Sequence, residues 1–297
     1  MSAAASALAG QRSQLQGLVL CDWQLPAGQV ARATVLIVHG LGEHMGRYAA
    51  LAQALNAWGY AVRAYDQYGH GASEGPRGGL PTATRLLDDL ALVVDHTRAT
   101  VAAGQPLLLL GHSMGGLVAA RFVALQRRPV DALVLSSPAL DPGLNPVQKL
   151  LVAVLPSLFP NLRVGNGLDA RLISHDPGVV AAYRSDPLVH DRIAARLARF
   201  IAEDSAAVLA AAPGWALPTL LLYAGADKLV NPAGSLVFAA AAPAQVLSSQ
   251  CFEPLYHEIF NEAEPGRSQV LAALRAWLDT RCTPPIFLGA SAHGQIS

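Results

Sequence analysis

Ser113 stands at the centre of Gly111-His112-Ser113-Met114-Gly115, a G-x-S-x-G pentapeptide. A serine hydroxyl attacks a carbonyl only when a base takes its proton and an acid orients that base. The pentapeptide follows the apolar run Pro106-Leu107-Leu108-Leu109-Leu110 and precedes a helix-like stretch, Gly116 to Gln126. Strand, sharp turn and helix form the setting in which such a serine sits on strained backbone with its hydroxyl exposed. The flanking glycines avoid collision with neighbouring backbone, and the first N–H groups of the helix favour developing negative charge. The alternative is a chance glycine-rich turn.

An elbow of this kind carries its triad in the chain order nucleophile, acid, histidine, with the acid after a late strand. Leu220-Leu221-Leu222-Tyr223 is followed by Ala224-Gly225-Ala226-Asp227, and Val246 to Phe252 by Glu253-Pro254-Leu255-Tyr256-His257. Asp227 and His257 thus lie just past the carboxyl ends of strands, where open α/β sheets build their sites. Only His257 and His293 follow Asp227, and His293 is in the terminal tail; His39 and His112 read as turn-forming neighbours. Asp204 and Glu253 are rival carboxylates, but neither occupies such a post-strand turn. Two oxyanion donors are expected: the N–H of Met114, and that of Leu41 in His39-Gly40-Leu41-Gly42-Glu43-His44. That loop has neither a G-x-G-x-x-G nor a P-loop pattern, so it is not read as a phosphate cradle.

The elements that must hold these groups are legible as alternation. Strands are expected at Thr34 to Val38, Ala61 to Tyr65, Pro106 to Leu110, Ala132 to Leu135, Leu220 to Tyr223 and Val246 to Phe252. Helices are expected at Arg47 to Trp58, Thr82 to Thr100, Gly116 to Gln126, Ala233 to Ala241 and Arg267 to Arg281. Continuous apolar strands alternating with helices imply an α/β fold, a mostly parallel sheet covered on both faces. Leu15 to Leu25 is expected as an antiparallel edge. Between Asp141 and Pro218 the alternation stops; no convincing strand is seen, and helical patterns include Val147 to Phe159 and Arg192 to Leu209. The expected organisation is a core of 1–140 and 214–282, a helical cap of 141–213 inserted after a central strand, and a tail of 283–297. Val147 to Phe159 is apolar on almost every face, which usually means burial; docking to a lipid aggregate that holds substrate is the alternative.

With 52% hydrophobic and 14% charged residues in 297, the chain can bury a large core and is not disordered. A formal net charge of zero argues against nucleic acid or anionic lipid as electrostatic partners. No apolar run reaches the roughly 18 residues of a membrane span, and Met1 to Gln16 does not read as a secretory signal. Cys21, Cys251 and Cys282 lack paired or metal-like spacing. A cytoplasmic protein with reduced thiols is expected, with no metal or organic cofactor.

Six blocks make the chain resemble the monoacylglycerol lipases and lysophospholipase-like serine hydrolases of the α/β-hydrolase fold, in their bacterial form. They are His39 to His44 with Arg47-Tyr48; Asp66-Gln67-Tyr68-Gly69-His70-Gly71 with Ser73-Glu74-Gly75; Gly111 to Gly116; Tyr183-Arg184-Ser185-Asp186-Pro187-Leu188; Gly225-Ala226-Asp227; and Tyr256-His257-Glu258. The resemblance implies a triad of Ser113, Asp227 and His257 and an oxyanion hole of Leu41 and Met114. It implies that Glu43 and Arg47 lie near the route of the alcohol product; an i,i+4 ion pair at a helix N-terminus is an equal alternative. Tyr183 borders the pocket or packs. Two positions depart from the mammalian pattern: Phe260 replaces a histidine three residues after the catalytic one, and Val230 a cysteine three residues after the acid. Both make the pocket less polar, and Phe260 is expected within one turn of the catalytic ring, loosening head-group selectivity.

The expected function is therefore hydrolysis of carboxylic esters, best on monoacylglycerols or similar single-chain acyl esters. A broad esterase or lysophospholipase is the alternative within enzymes, and a non-turnover receptor with a hydrolase fold the alternative outside them.

Overall fold

Runs of Leu, Val and Ile without a polar face fit only the middle of a sheet covered on both sides. A computed structural model of the chain describes residues 10–143 and 145–281. Its strands are β1 (Gln11–Leu15), β2 (Leu18–Trp23), β3 (Thr34–Val38), β4 (Ala61–Asp66), β5 (Leu107–His112), β6 (Ala132–Ser136), β7 (Arg163–Gly165), β8 (Arg192–Ala194), β9 (Thr219–Ala224) and β10 (Leu247–Phe252). Eight form one sheet in the order β1-β2-β4-β3-β5-β6-β9-β10, parallel from β4 to β10 with β1 and β2 antiparallel at one edge. The helices are α1 (Ala49–Ala57), α2 (Arg85–Thr100), α3 (Met114–Ala124), α4 (Pro146–Leu158), α5 (Pro177–Ser185), α6 (Ala195–Ala211), α7 (Ala233–Ala241) and α8 (Gly266–Arg281).

Alternate residues of each inner strand serve opposite faces. Leu107 and Leu109 of β5 join a core with Leu90 of α2, Leu117 of α3 and Phe200 of α6. Leu108 and Leu110 join the other core, with Leu55 of α1 and Leu274 of α8. The strand order reverses at β3, which lies between β4 and β5, and Val38 is in register with Gly111. The loops leaving β3 and β5 therefore start side by side, at the switch point where such sheets bind ligands.

All six expected parallel strands form, and the differences lie outside them. The expected edge strand over Leu15 to Leu25 is a hairpin, β1–β2. Gln16 and Gly17 both take positive φ (47° and 83°), the geometry of a two-residue turn matched to strand twist. The inserted segment contains strands after all: β7 and β8 pair antiparallel, so α6 begins at Ala195 rather than at Arg192. Three residues are too few to show a period in sequence.

The cap helix α4 starts on a reciprocal capping box, Asn145 Oδ1 accepting from Gln148 N at 2.9 Å and Asn145 N–H donating to Gln148 Oε1 at 3.0 Å. Burial of this helix on all sides is not what forms. One face packs on α6, whereas Val147, Leu150, Leu151, Val154 and Leu158 are exposed, a single stripe at helical spacing. Cys282, His293 and the expected tail lie outside the described residues.

Candidate active site

β5 ends at His112 and α3 begins at Met114, so Ser113 alone makes the turn, at φ 54° and ψ −122°. A non-glycine residue in such a region costs about 1–3 kcal/mol. It is pinned from both sides: its N–H donates to Ser136 O at 3.0 Å, and its carbonyl accepts from Ala139 N at 3.0 Å and Leu117 N at 3.1 Å. A Cβ on Gly115 would stand 2.1 Å from the carbonyl oxygen of Val38, so only glycine lets α3 approach β3 this closely. The N–H of Met114 opens α3 and has no carbonyl four residues back in the helix to bond.

Across the crevice, the loop after β3 is built on a buried histidine. His39 Nδ1–H donates to Gly40 O at 2.8 Å, and its Nε2 accepts from Gln67 N at 2.9 Å while Gln67 Nε2 donates to His39 O at 2.6 Å. Burial pushes His39 below the usual imidazole range, so it stays a neutral strut. Gly40 N–H donates to Glu43 Oε1 at 2.6 Å. Gly42 sits at φ 76°, and its carbonyl accepts from His190 N in the cap at 2.9 Å. Leu41, the expected second donor, lies between these two anchors.

Asp227 and His257 meet beside the elbow. His257 Nδ1–H donates to Asp227 Oδ2 at 2.6 Å, and Asp227 Oδ1 accepts from Leu229 N at 2.8 Å and Val230 N at 3.0 Å. Burial alone would depress His257, but the Asp227 carboxylate outweighs it and holds the ring above its ordinary value. Burial would raise Asp227; the imidazole and the two backbone donors lower it instead. His112, 4.7 Å from His257 between ring centroids, bonds Ser136 Oγ at 3.1 Å. Burial and the neighbouring His257 hold it down at about 3, so it is an uncharged wall. The rival carboxylates are occupied elsewhere, Asp204 by Arg121 at 2.6 Å and Glu253 by the Cys251 thiol at 3.4 Å.

Glu43 and Arg47 form the ion pair that was one of their two readings, at 2.8 Å, both nearly buried. Burial would raise the Glu43 carboxyl, yet the Arg47 guanidinium brings it to about 2. Glu43 Oε1 also accepts from Tyr48 OH at 2.6 Å. Arg47 further binds Glu258 through two N–H groups, at 2.5 and 2.6 Å. Spacing in the chain gave no sign of Glu258 as a partner, 211 residues away. Tyr183 packs its ring against the guanidinium, 4.7 Å away.

Phe260 is enclosed by apolar neighbours. It is buried in the apolar cluster that holds Tyr48, Ile259 and Val270, on the 3₁₀ turn Ile259–Asn261 that follows His257. The expectation is a ring within one turn of His257 that makes the pocket less polar, and the ring's surroundings are this apolar cluster.

The segment inserted between β6 and β9 is fastened to the loops of the site. Ile173 O accepts from Glu258 N at 2.8 Å. Glu262 accepts from Ser174 Oγ at 3.1 Å, from His175 N at 2.6 Å and from Tyr256 N at 2.9 Å. His44 Nε2–H donates to Asp186 Oδ2 at 2.8 Å, which explains the aspartate of the Tyr183 to Leu188 block.

Residues 29–264 match the family described as serine aminopeptidase, S33. The chain is 35% identical over 255 residues to a monoacylglycerol lipase of Mycolicibacterium smegmatis, covering 83% of this chain and 88% of that one. It is 32% identical over 251 residues to phospholipase YtpA of Bacillus subtilis, covering 83% and 95%. Its structure superposes on the crystal structure of Paleococcus ferrophilus monoacylglycerol lipase with a TM-score of 0.80, at 33% identity over 89% of this chain and 99% of that one. The matched span runs from before β3 past the histidine loop, and the chain belongs to this serine aminopeptidase S33 family of α/β-hydrolase-fold serine hydrolases.

Proposed function

We propose that the protein hydrolyses carboxylic esters of single acyl chains, monoacylglycerols first, through an acyl-enzyme on Ser113. His257 takes the proton from Ser113 Oγ as the hydroxyl attacks the ester carbonyl, and Asp227 fixes the imidazole tautomer and stabilises its cation. The N–H groups of Leu41 and Met114 receive the oxyanion. His257 gives its proton to the leaving alcohol, then activates water to release the acid. Residues 141–213 act as the cap over the acyl channel.

The observation that carries this reading is the 2.6 Å contact between His257 and Asp227 beside a strained elbow serine. Two features choose among substrates. An aminopeptidase reads a substrate ammonium with a carboxylate, and Glu43 and Glu258 are both held by Arg47. A lysophospholipid phosphate calls for a cation, and Arg47 stands between two carboxylates. A neutral, hydroxylated alcohol fits better than either, in line with the relatives named for monoacylglycerol. The outward stripe of α4 is read as the surface that meets lipid aggregates carrying the substrate. No helix among the described residues is long and apolar enough to cross a membrane.

The test is a set of steady-state rates on monooleoylglycerol, lysophosphatidylcholine and the p-nitrophenyl ester and anilide of matched acids, with fluorophosphonate labelling of Ser113. A kcat/KM for the lysophospholipid tenfold above that for the glyceride would reassign the head group. Absence of both labelling and turnover would leave a binder rather than an enzyme.

A further inference from the structure

Resting on the hydrolase reading, we propose that Arg47 is a positioning residue that ties the oxyanion loop to the histidine loop, rather than a group that reads the substrate's alcohol. Its guanidinium has five N–H donors. Both on Nη1 and one on Nη2 are committed, to Glu43 at 2.8 Å and to Glu258 at 2.5 and 2.6 Å, and the Tyr183 ring covers it at 4.7 Å. Each carboxylate then fixes backbone at one half of the site.

Glu43 Oε1 holds Gly40 N–H at 2.6 Å. Fixing that peptide sets the direction of the next one, whose N–H is that of Leu41. The hold is close to the nucleophile, since a Cβ on Gly40 would lie 3.2 Å from the Cβ of Ser113. At the other end, Glu258 directly follows His257. Its side chain is gripped by Arg47 and by Asn261 Nδ2 at 3.0 Å, and its N–H by Ile173 O at 2.8 Å. The tie therefore sets the distance between the donor that receives the oxyanion and the base that moves the proton. Misplacement of such groups by about 1 Å costs on the order of 10²-fold in rate.

The tie is also electrical. Asp227, Glu258 and Glu43 bring negative charge to His257, Arg47 sets its positive charge between the two glutamates, and His112, Tyr48 and Tyr183 are neutral around them. Two carboxylates around one guanidinium leave a net negative charge that favours the imidazolium formed in the transition state.

Full-length Arg47→Met, Arg47→Lys and Glu258→Gln would be compared with the wild type on monooleoylglycerol, ethyl oleate and p-nitrophenyl butyrate across pH, with thermal melts to confirm folding. The expectation for Arg47→Met is a kcat lower by on the order of 10²-fold, equal within about threefold on all substrates, with KM little changed. Arg47→Lys keeps the charge but not the fork, so it should lose part of kcat and keep the pH profile. The base limb should move to higher pH in Arg47→Met, which strips a cation from two carboxylates, and to lower pH in the nearly isosteric Glu258→Gln. Loosened packing alone would not move the two variants in opposite directions. Should Arg47→Met fail to fold, Arg47→Lys and Glu258→Gln carry the test; wild-type kcat and pH profile in both would overturn the proposal. So would a loss at least tenfold greater on the glycerol ester than on ethyl oleate, which would make Arg47 a head-group reader. Failure of the wild type on monooleoylglycerol with retained p-nitrophenyl butyrate turnover would sink the substrate assignment alone, and the tie would still be judged on the p-nitrophenyl ester.

Discussion

The outward stripe of α4 makes a quantitative prediction about lipid. Leu150 is 64% exposed and Leu158 66%. Burying a whole leucine side chain yields about 1.5–3 kcal/mol, so immersing the exposed two-thirds of each is worth about 1–2 kcal/mol, or about 3 kcal/mol for the pair. At 1.4 kcal/mol per factor of ten, Leu150→Ser with Leu158→Ser should weaken partition onto phosphatidylcholine vesicles by on the order of 10²-fold. Co-sedimentation measures it. Both side chains point away from the packed face, so the melting temperature should hardly change and turnover of water-soluble p-nitrophenyl butyrate should stay within about twofold. Monooleoylglycerol presented in vesicles should be hydrolysed more slowly in proportion to the lost binding. Because the attraction is apolar, added salt should not weaken it. Partition within threefold of wild type would refute the reasoning. So would binding confined to anionic vesicles and abolished by salt, which would transfer the contact to arginines. Sedimentation in the absence of lipid checks whether the stripe is covered by a second copy instead.

Ser113→Ala should fold and lose on the order of 10³- to 10⁶-fold in kcat, with fluorophosphonate labelling abolished; near-normal turnover would reassign the nucleophile. Asp227→Asn should be similarly silent toward folding and severe toward kcat, whereas Asp204→Asn, which only loses its bond to Arg121, should be mild toward kcat; the reverse order would give the acid's role to Asp204. Activity should rise with pH through a midpoint above the ordinary histidine value of about 6.5, since Asp227 raises His257 and the neutral ring is the base. The same shift fixes a stability trend: the His257–Asp227 pair contributes fully below about pH 6.5, and the contribution fades as pH rises through the raised value, so pH melts should fall where activity climbs. Phe260→His should cost about 1–3 kcal/mol by placing a polar ring in an apolar cluster, without shifting preference toward glycerol esters; a stable variant with such a shift would restore Phe260 to the head-group pocket.

The parts of the molecule legible in the sequence are those governed by local rules. β5, Ser113 and α3 were visible because an apolar run, three glycines and a helical pattern adjoin in the chain. Asp227 and His257 were visible because each sits in a turn directly after a strand. The network around Arg47 was only half visible: its spacing to Glu43 is one helical turn, but nothing local announces Glu258 or the covering Tyr183. Phe260 was placed by its spacing from His257, but nothing local announces the cluster it joins with Tyr48 and Val270. The α4 stripe misled. Burial was inferred from composition, and composition cannot tell an inner face from an outer one when both are apolar.

The fastening of the cap has a mechanical consequence. Ile173, Ser174 and His175 grip the histidine loop, while Asp186 and His190 grip the loop that carries Leu41. Lifting the whole inserted segment would pull on the loops of both Leu41 and His257 at once, the two halves of the proposed catalytic machinery. α4 instead rests on α6 within the cap, and it is also the helix that turns its leucines outward. The helix tied by hydrogen bonds to Arg199 of α6, and among the described residues to none of the loops of Ser113, Asp227 and His257, is thus the helix proposed to touch the lipid. On the proposed reading of α4 as the lipid-meeting surface, arrival at an interface and admission of the substrate would become one event, the door being opened by the surface it faces.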